Sequence, residues 1–171
     1  MTLGPGEAAR EGDVAADGWE AHLRGRLGEA ILAVEPQPGT LGRVRFRADA
    51  AVALFRELRD ALGFRHLSMV GGIDWVQHRE VFYVVWSDER RRYLLLSTDV
   101  PADAPHVVSA TAVWPSANWH ERETWEMVGI TFDGHPDLRH LLMPDGYAFH
   151  PLLRSFKLHE PEELEVKTRD V

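Results

Sequence analysis

Residues 80–98 read EVFYVVWSDERRRYLLLST. Two runs rich in β-branched and aromatic residues, 80–86 and 91–98, flank the polar turn Ser87-Asp88-Glu89-Arg90. This pattern predicts an antiparallel hairpin. From Val81 to Trp86 the chain is apolar on both faces of the pleat. A strand of that kind is covered twice, either by helices on both sides of its sheet or by another protein on one of them.

Just before the hairpin, residues 64–70 supply a third strand-like segment. Residues 41–47 alternate, with Val44 and Phe46 on one side and Arg43, Arg45 and Arg47 on the other, as in a half-buried strand. A solvated sheet face explains those arginines more simply than a docking patch does. Further upstream, Trp19, Leu23, Leu27, Ile31 and Val34 recur at helical spacing, which predicts one helix stopped by Pro36 and Pro38. A second helix is expected with Asp49 as its cap, Val52, Phe55, Leu58 and Leu62 on its buried face, and Gly63 at its end. Downstream, residues 106–113 suggest a short helix. Asn118 with Glu121 resembles a capping box opening a helix over 119–128 that Gly129 ends. Residues 130–132 suggest a short strand before the turn Asp133-Gly134. The expected architecture is therefore α+β: a mixed, largely antiparallel sheet with packed helices and an extended C-terminal arm. Residues 1–17, rich in Gly, Ala and acids, read as a mobile tail, 18–134 as the α+β domain, and 135–171 as the arm.

A chain of 171 residues with 44% hydrophobic content can bury a sizeable core. Its net charge of −8 supplies no basic stripe for phosphates, which argues against a nucleic-acid partner. Without cysteine it has no thiolate for an iron–sulfur cluster and no thiol nucleophile. Its longest apolar runs, 50–55 and 81–86, fall far short of the ~20 residues a bilayer span needs, so membrane attachment is expected only through partners.

The chemistry-bearing residues crowd into 114–156. His120, Glu121 and Glu123, followed by His135, His140, His150 and His159, invite a metal-dependent enzyme as the competing reading. The spacing disfavours it: Thr124 stands where a zinc-protease helix needs its second histidine, and no Glu-x-x-His occurs. Glu121 and Glu123 diverge by about 200° on a helix, so they do not converge as an acid–base pair, while Arg122 and Glu126 have the spacing of an internal ion pair. Gly71-Gly72 and Gly4-Pro5-Gly6 match no phosphate-binding loop. What remains is an interface, because Trp, Tyr, Met and Arg, all concentrated here, are enriched at protein contacts.

The same stretch resembles the C subunit of the proton-pumping NADH:quinone oxidoreductase, respiratory complex I. The resemblance rests on Glu121-Arg122-Glu123, Trp125, Met127, Gly129-Ile130, Phe132, Gly134-His135-Pro136, Leu138-Arg139, Pro144-Asp145 and His150-Pro151-Leu152. It implies a non-catalytic subunit that buttresses the quinone-reducing module, peripheral on the cytoplasmic side of the cell membrane. Its implied partners are the quinone-pocket subunit and neighbouring iron–sulfur subunits. FMN, iron–sulfur clusters and quinone would sit in those partners and none in this chain. The interface expected from it comprises Glu121, Arg122, Glu123, Trp125, His135, Pro136, Arg139, Tyr147, His150, Pro151 and Arg154. Where the family continues His-Pro-Leu with Arg-Lys-Asp and an aromatic, this chain has Leu153-Arg154-Ser155-Phe156. Val128 also replaces a usual Phe. These departures leave room for a cousin complex, a coenzyme F420-linked dehydrogenase or a membrane-bound hydrogenase.

Overall fold

The computed structural model describes residues 18–36 and 41–158. The expected tail, Pro38, His159 and the last part of the arm lie outside these residues. Helix α1 (Trp19–Leu27) leads through a tight turn into strand β1 (Ile31–Pro36), followed by β2 (Leu41–Phe46). Helix α2 (Ala51–Arg56) widens into a π-helical turn over Glu57–Ala61. Strands β3 (His66–Asp74), β4 (His78–Ser87) and β5 (Arg92–Pro101) form a meander. The short β6 (His106–Val108), helix α3 (Ala117–Val128) and β7 (Thr131–Asp133) complete the regular structure among the described residues.

The five-stranded sheet has the order β1-β2-β5-β4-β3, and β6 pairs with β7. Every neighbour in the large sheet is antiparallel except β2 with β5. The β4–β5 hairpin holds an unbroken register from His78↔Pro101 to Ser87↔Arg92, as its sequence predicted. Val81, Tyr83 and Val85 are fully buried, whereas Phe82, Val84 and Trp86 are half-buried.

The helices explain that difference, because all three meet one face of the sheet. Phe55 of α2 lies 4.8 Å from Tyr83 and 5.2 Å from Trp114, with Phe46 edge-on at 5.9 Å. Trp114 donates its indole N–H to Phe64 O at 3.1 Å. Trp19 of α1 packs over Gly42 beside Leu94, and Thr124, Val128 and Ile130 close over Gly72. Each such aromatic or leucine contributes about 1.5–3 kcal/mol when taken fully out of water. The opposite face, carrying Met69, Tyr93 and Trp86, has no helix on it among the described residues.

Four local expectations are corrected. The helix expected through Val34 stops at Leu27, because Gly28 turns the chain with φ +53° and its N–H closes on Arg24 O. Ile31 and Val34 then pair with Phe46 and Val44, and sheet pairing overrides the helical spacing. Residues 106–113 are not a helix: His106–Val108 is a strand, and the rest is a turn closed by Val113 N–H on Ala110 O. Asp49 caps nothing and pairs with Arg47 instead. No side chain caps α3, which begins at Ala117, since Glu121 points into the core.

Candidate functional site

Helix α3 places two carboxylates and one guanidinium in buried positions: Glu121, Arg122 and Glu126. Ser109 donates its hydroxyl and Ala110 its backbone N–H to Glu121, each at 2.6 Å, which fastens the β6–α3 connection to the helix. Burial pushes the Glu121 carboxyl up to about 7, and these two donors oppose the rise. Beneath it the Tyr83 hydroxyl is buried without a hydrogen-bond partner among the described residues. Burial first, and the charge of Glu121 second, raise the Tyr83 phenol well above its usual value.

Arg122 and Glu126 are one helical turn apart, but each bonds elsewhere, which corrects the expected ion pair. Arg122 donates to the carbonyls of Arg139 at 2.9 Å and His140 at 2.7 Å. Glu126 accepts three consecutive amides, from Leu141 and Leu142 at 2.9 Å and from Met143 at 3.2 Å, with His140 Nδ1 at 3.4 Å. Burial alone would raise the Glu126 carboxyl. The three amides and His140 instead bring it below its usual value. One helix face thus grips residues 139–143 by their carbonyls through a cation and by their amides through an anion.

The grip extends along the helix. His135 donates Nε2–H to Asn118 O at 3.1 Å and accepts the Asp137 amide on Nδ1 at 3.0 Å, which sets the neutral tautomer with the proton on Nε2. At the far end His150 Nδ1 donates to Glu126 O and the Leu152 N–H to Met127 O, both at 2.9 Å. The imidazole of His150 lies against Gly129, where a Cβ would come within 2.7 Å of the ring, and Gly129 ends α3 with φ +73°. Beyond it Arg154 fastens to Asp74 through its N–H at 2.8 Å and its Nε at 2.9 Å. Residues 135–158 therefore form a strap without helix or strand that folds back on α3. The extended C-terminal arm expected from the sequence thus lies, over its described residues, along this chain's own α3.

Of the expected interface residues, Glu121 and Arg122 are used inside the chain. His135, His150 and Arg154, the last through both its backbone and its side chain, anchor the strap, and Pro151 is half-buried within it. Trp125 is half-buried against His140, their rings 5.0 Å apart, and Tyr147 packs edge-on to Phe149 at 5.6 Å. Glu123, Pro136 and Arg139 are exposed. Also exposed are Trp119 at 63%, one of the aromatics that pointed to an interface, and two residues the expected interface left out, Leu142 at 60% and Leu152 at 62%. Arg122 lies over the Trp119 ring, 5.7 Å from its centre. Leu142 offered no signal, because its exposure follows from Glu126 fixing its amide. Among the described residues no three His, Asp or Glu side chains are grouped to hold a metal, and no helix is long and apolar enough to cross a membrane.

Fold and site together define a strap-bearing α+β domain built on a five-stranded sheet. Residues 44–162 match the model of the family described as respiratory-chain NADH dehydrogenase, 30 Kd subunit, and the chain belongs to that family. It is 37% identical over 138 residues to the C subunit of the NADH-quinone oxidoreductase of Salinispora tropica, covering 77% of this chain and 56% of that one. It is 36% identical over 151 residues to the C/D subunit of the Serratia proteamaculans enzyme, covering 82% of this chain and 25% of the relative. The chain thus spans about half the length of the first of these relatives. Among solved structures, the trypsin-resistant fragment (1–134) of Nqo5 matches with a TM-score of 0.59 at 25% identity, covering 70% of this chain and 98% of the fragment. A chain of an archaeal membrane-bound sulfane sulfur reductase shares the fold, with a TM-score of 0.71 at 18% identity over 82% of this chain and 86% of that one.

Proposed function

We propose that this chain is a non-catalytic subunit of the peripheral arm of an NADH:quinone oxidoreductase, docked on the quinone-pocket subunit through the outer surface of α3 and its strap. The observation that carries the reading is the family match across residues 44–162, which includes both α3 and the strap. The Serratia relative bears the C and D designations in one chain, which supports a D-type neighbour, taken in this reading as the quinone-pocket subunit. Exposed Trp119 and Arg139 supply the aromatic and arginine anchors that such contacts use, and exposed Leu142 and Leu152 add apolar surface. FMN, iron–sulfur clusters and quinone belong to partner subunits in this reading, and the membrane is reached only through them on its cytoplasmic side. The test is purification of the tagged chain from native membranes. Co-purification of the quinone-pocket and iron–sulfur subunits, with release of the whole set by alkaline wash, is the expected result. A chain recovered alone with stoichiometric metal would instead support the free-standing enzyme.

A further inference from the structure

Where α3 meets the edge strand β3 there is a slot of about 290 Å³, lined by Met69, Gly71, Phe82, Glu123, Met127 and Leu152. We propose that it receives a segment of the quinone-pocket subunit in which an apolar side chain is followed by a lysine or arginine. This rests on the assembly reading above and extends that contact from the strap to the β3 edge of the sheet.

The floor is built for insertion. Gly71 stands opposite Phe82 in the β3–β4 register, and the Phe82 ring lies over it so closely that a Cβ at Gly71 would come within 2.4 Å. The glycine leaves that face of the edge strand bare, and the ring folds across the bare backbone instead of standing up from the sheet. The walls are adaptable: Met69 is 46% exposed and Met127 half-buried, and thioether side chains reshape around an incoming group at little cost. A volume of this size accepts one large aliphatic or aromatic side chain.

Charge selects the occupant. Glu123 is exposed at the rim and has no ion pair among the described residues. It favours a basic group beside the apolar anchor. This chain's own end, residues 159–171, carries five acids against Lys167 and Arg169, and the whole chain carries −8, so a basic segment of another subunit complements the rim better than this chain does.

The test mixes the full chain with the purified quinone-pocket subunit and exposes it to dilute hydrogen peroxide, with methionine sulfoxide read by peptide mass. Met69 and Met127 should oxidise at least about tenfold more slowly in the complex than in the free chain. Glu123→Lys should weaken the complex by about tenfold without changing the melting temperature, and Leu152→Ser should do so less. A complex in which Met69 oxidises at its free rate overturns the slot and leaves the assembly reading standing. Failure of the two proteins to associate overturns both. Protection that appears in the free chain as its concentration rises gives the slot to a second copy and overturns the proposed occupant. Protection indifferent to Glu123→Lys overturns the basic anchor.

Discussion

Glu121 is the residue whose environment most departs from its ordinary chemistry. Its carboxyl titrates near 7 in the folded chain and near 4.5 when solvated, so between those values the native state keeps a proton that the unfolded state has lost. Stability contributed by this group is complete below about 4.5 and is lost as pH rises through about 7. The separation corresponds to about 3 kcal/mol as an upper bound. Glu121→Gln is expected to flatten the fall in urea midpoint between pH values of about 5 and 8. A parallel fall in wild type and variant would show that this carboxyl does not govern it. Val76, a β-branched residue at φ +73° in the β3–β4 turn, is a second local oddity. Glycine there should raise stability by about 1 kcal/mol, since the left-handed region costs a β-branched residue most. Thermal melting would register this as an upward shift of a few degrees.

Among the elements, the β4–β5 hairpin and α2 were legible because their periodicity and their burial agree. Val81, Tyr83 and Val85 face the helices, as the pattern required of one face. The paired alternatives for the other face could not be decided, because apolar residues on both faces look alike whichever protein covers them. Strand β1 was misread because Ile31 and Val34 fit a helical stripe, and only pairing with β2, a contact distant from any local signal, makes them a strand. The strap was legible as irregular but not as attached. At 139–143 the groups held are backbone amides and carbonyls, and no residue pattern there announces that Arg122 and Glu126 will hold them. Those anchors give a prediction of their own. Glu126→Gln removes a charged acceptor from three amides, so amide exchange at residues 141–143 should quicken by about 100-fold, corresponding to ~2.7 kcal/mol of local opening. The amides of β4 should be unaffected. Arg122→Met combined with Glu126→Gln should cost less than the sum of the two, because both residues hold one segment.

Across the chain as a unit, the sheet, α3 and the strap divide the work. The sheet's covered face supplies the core, α3 converts buried charges into backbone anchors, and the strap sets Leu142 and Arg139 in place near Trp119. The strap's outward side chains contribute little to the fold, so Arg139→Ala should melt within about 0.5 kcal/mol of wild type, as surface changes usually do. The most direct measurement of the docking claim is titration of the purified quinone-pocket subunit with this chain, comparing wild type with the double variant Trp119→Ala, Leu142→Ser. Docking through α3 and the strap predicts a Kd weakened by at least about tenfold, with thermal melting unchanged. An unaltered Kd would contradict it and move the interface away from the strap.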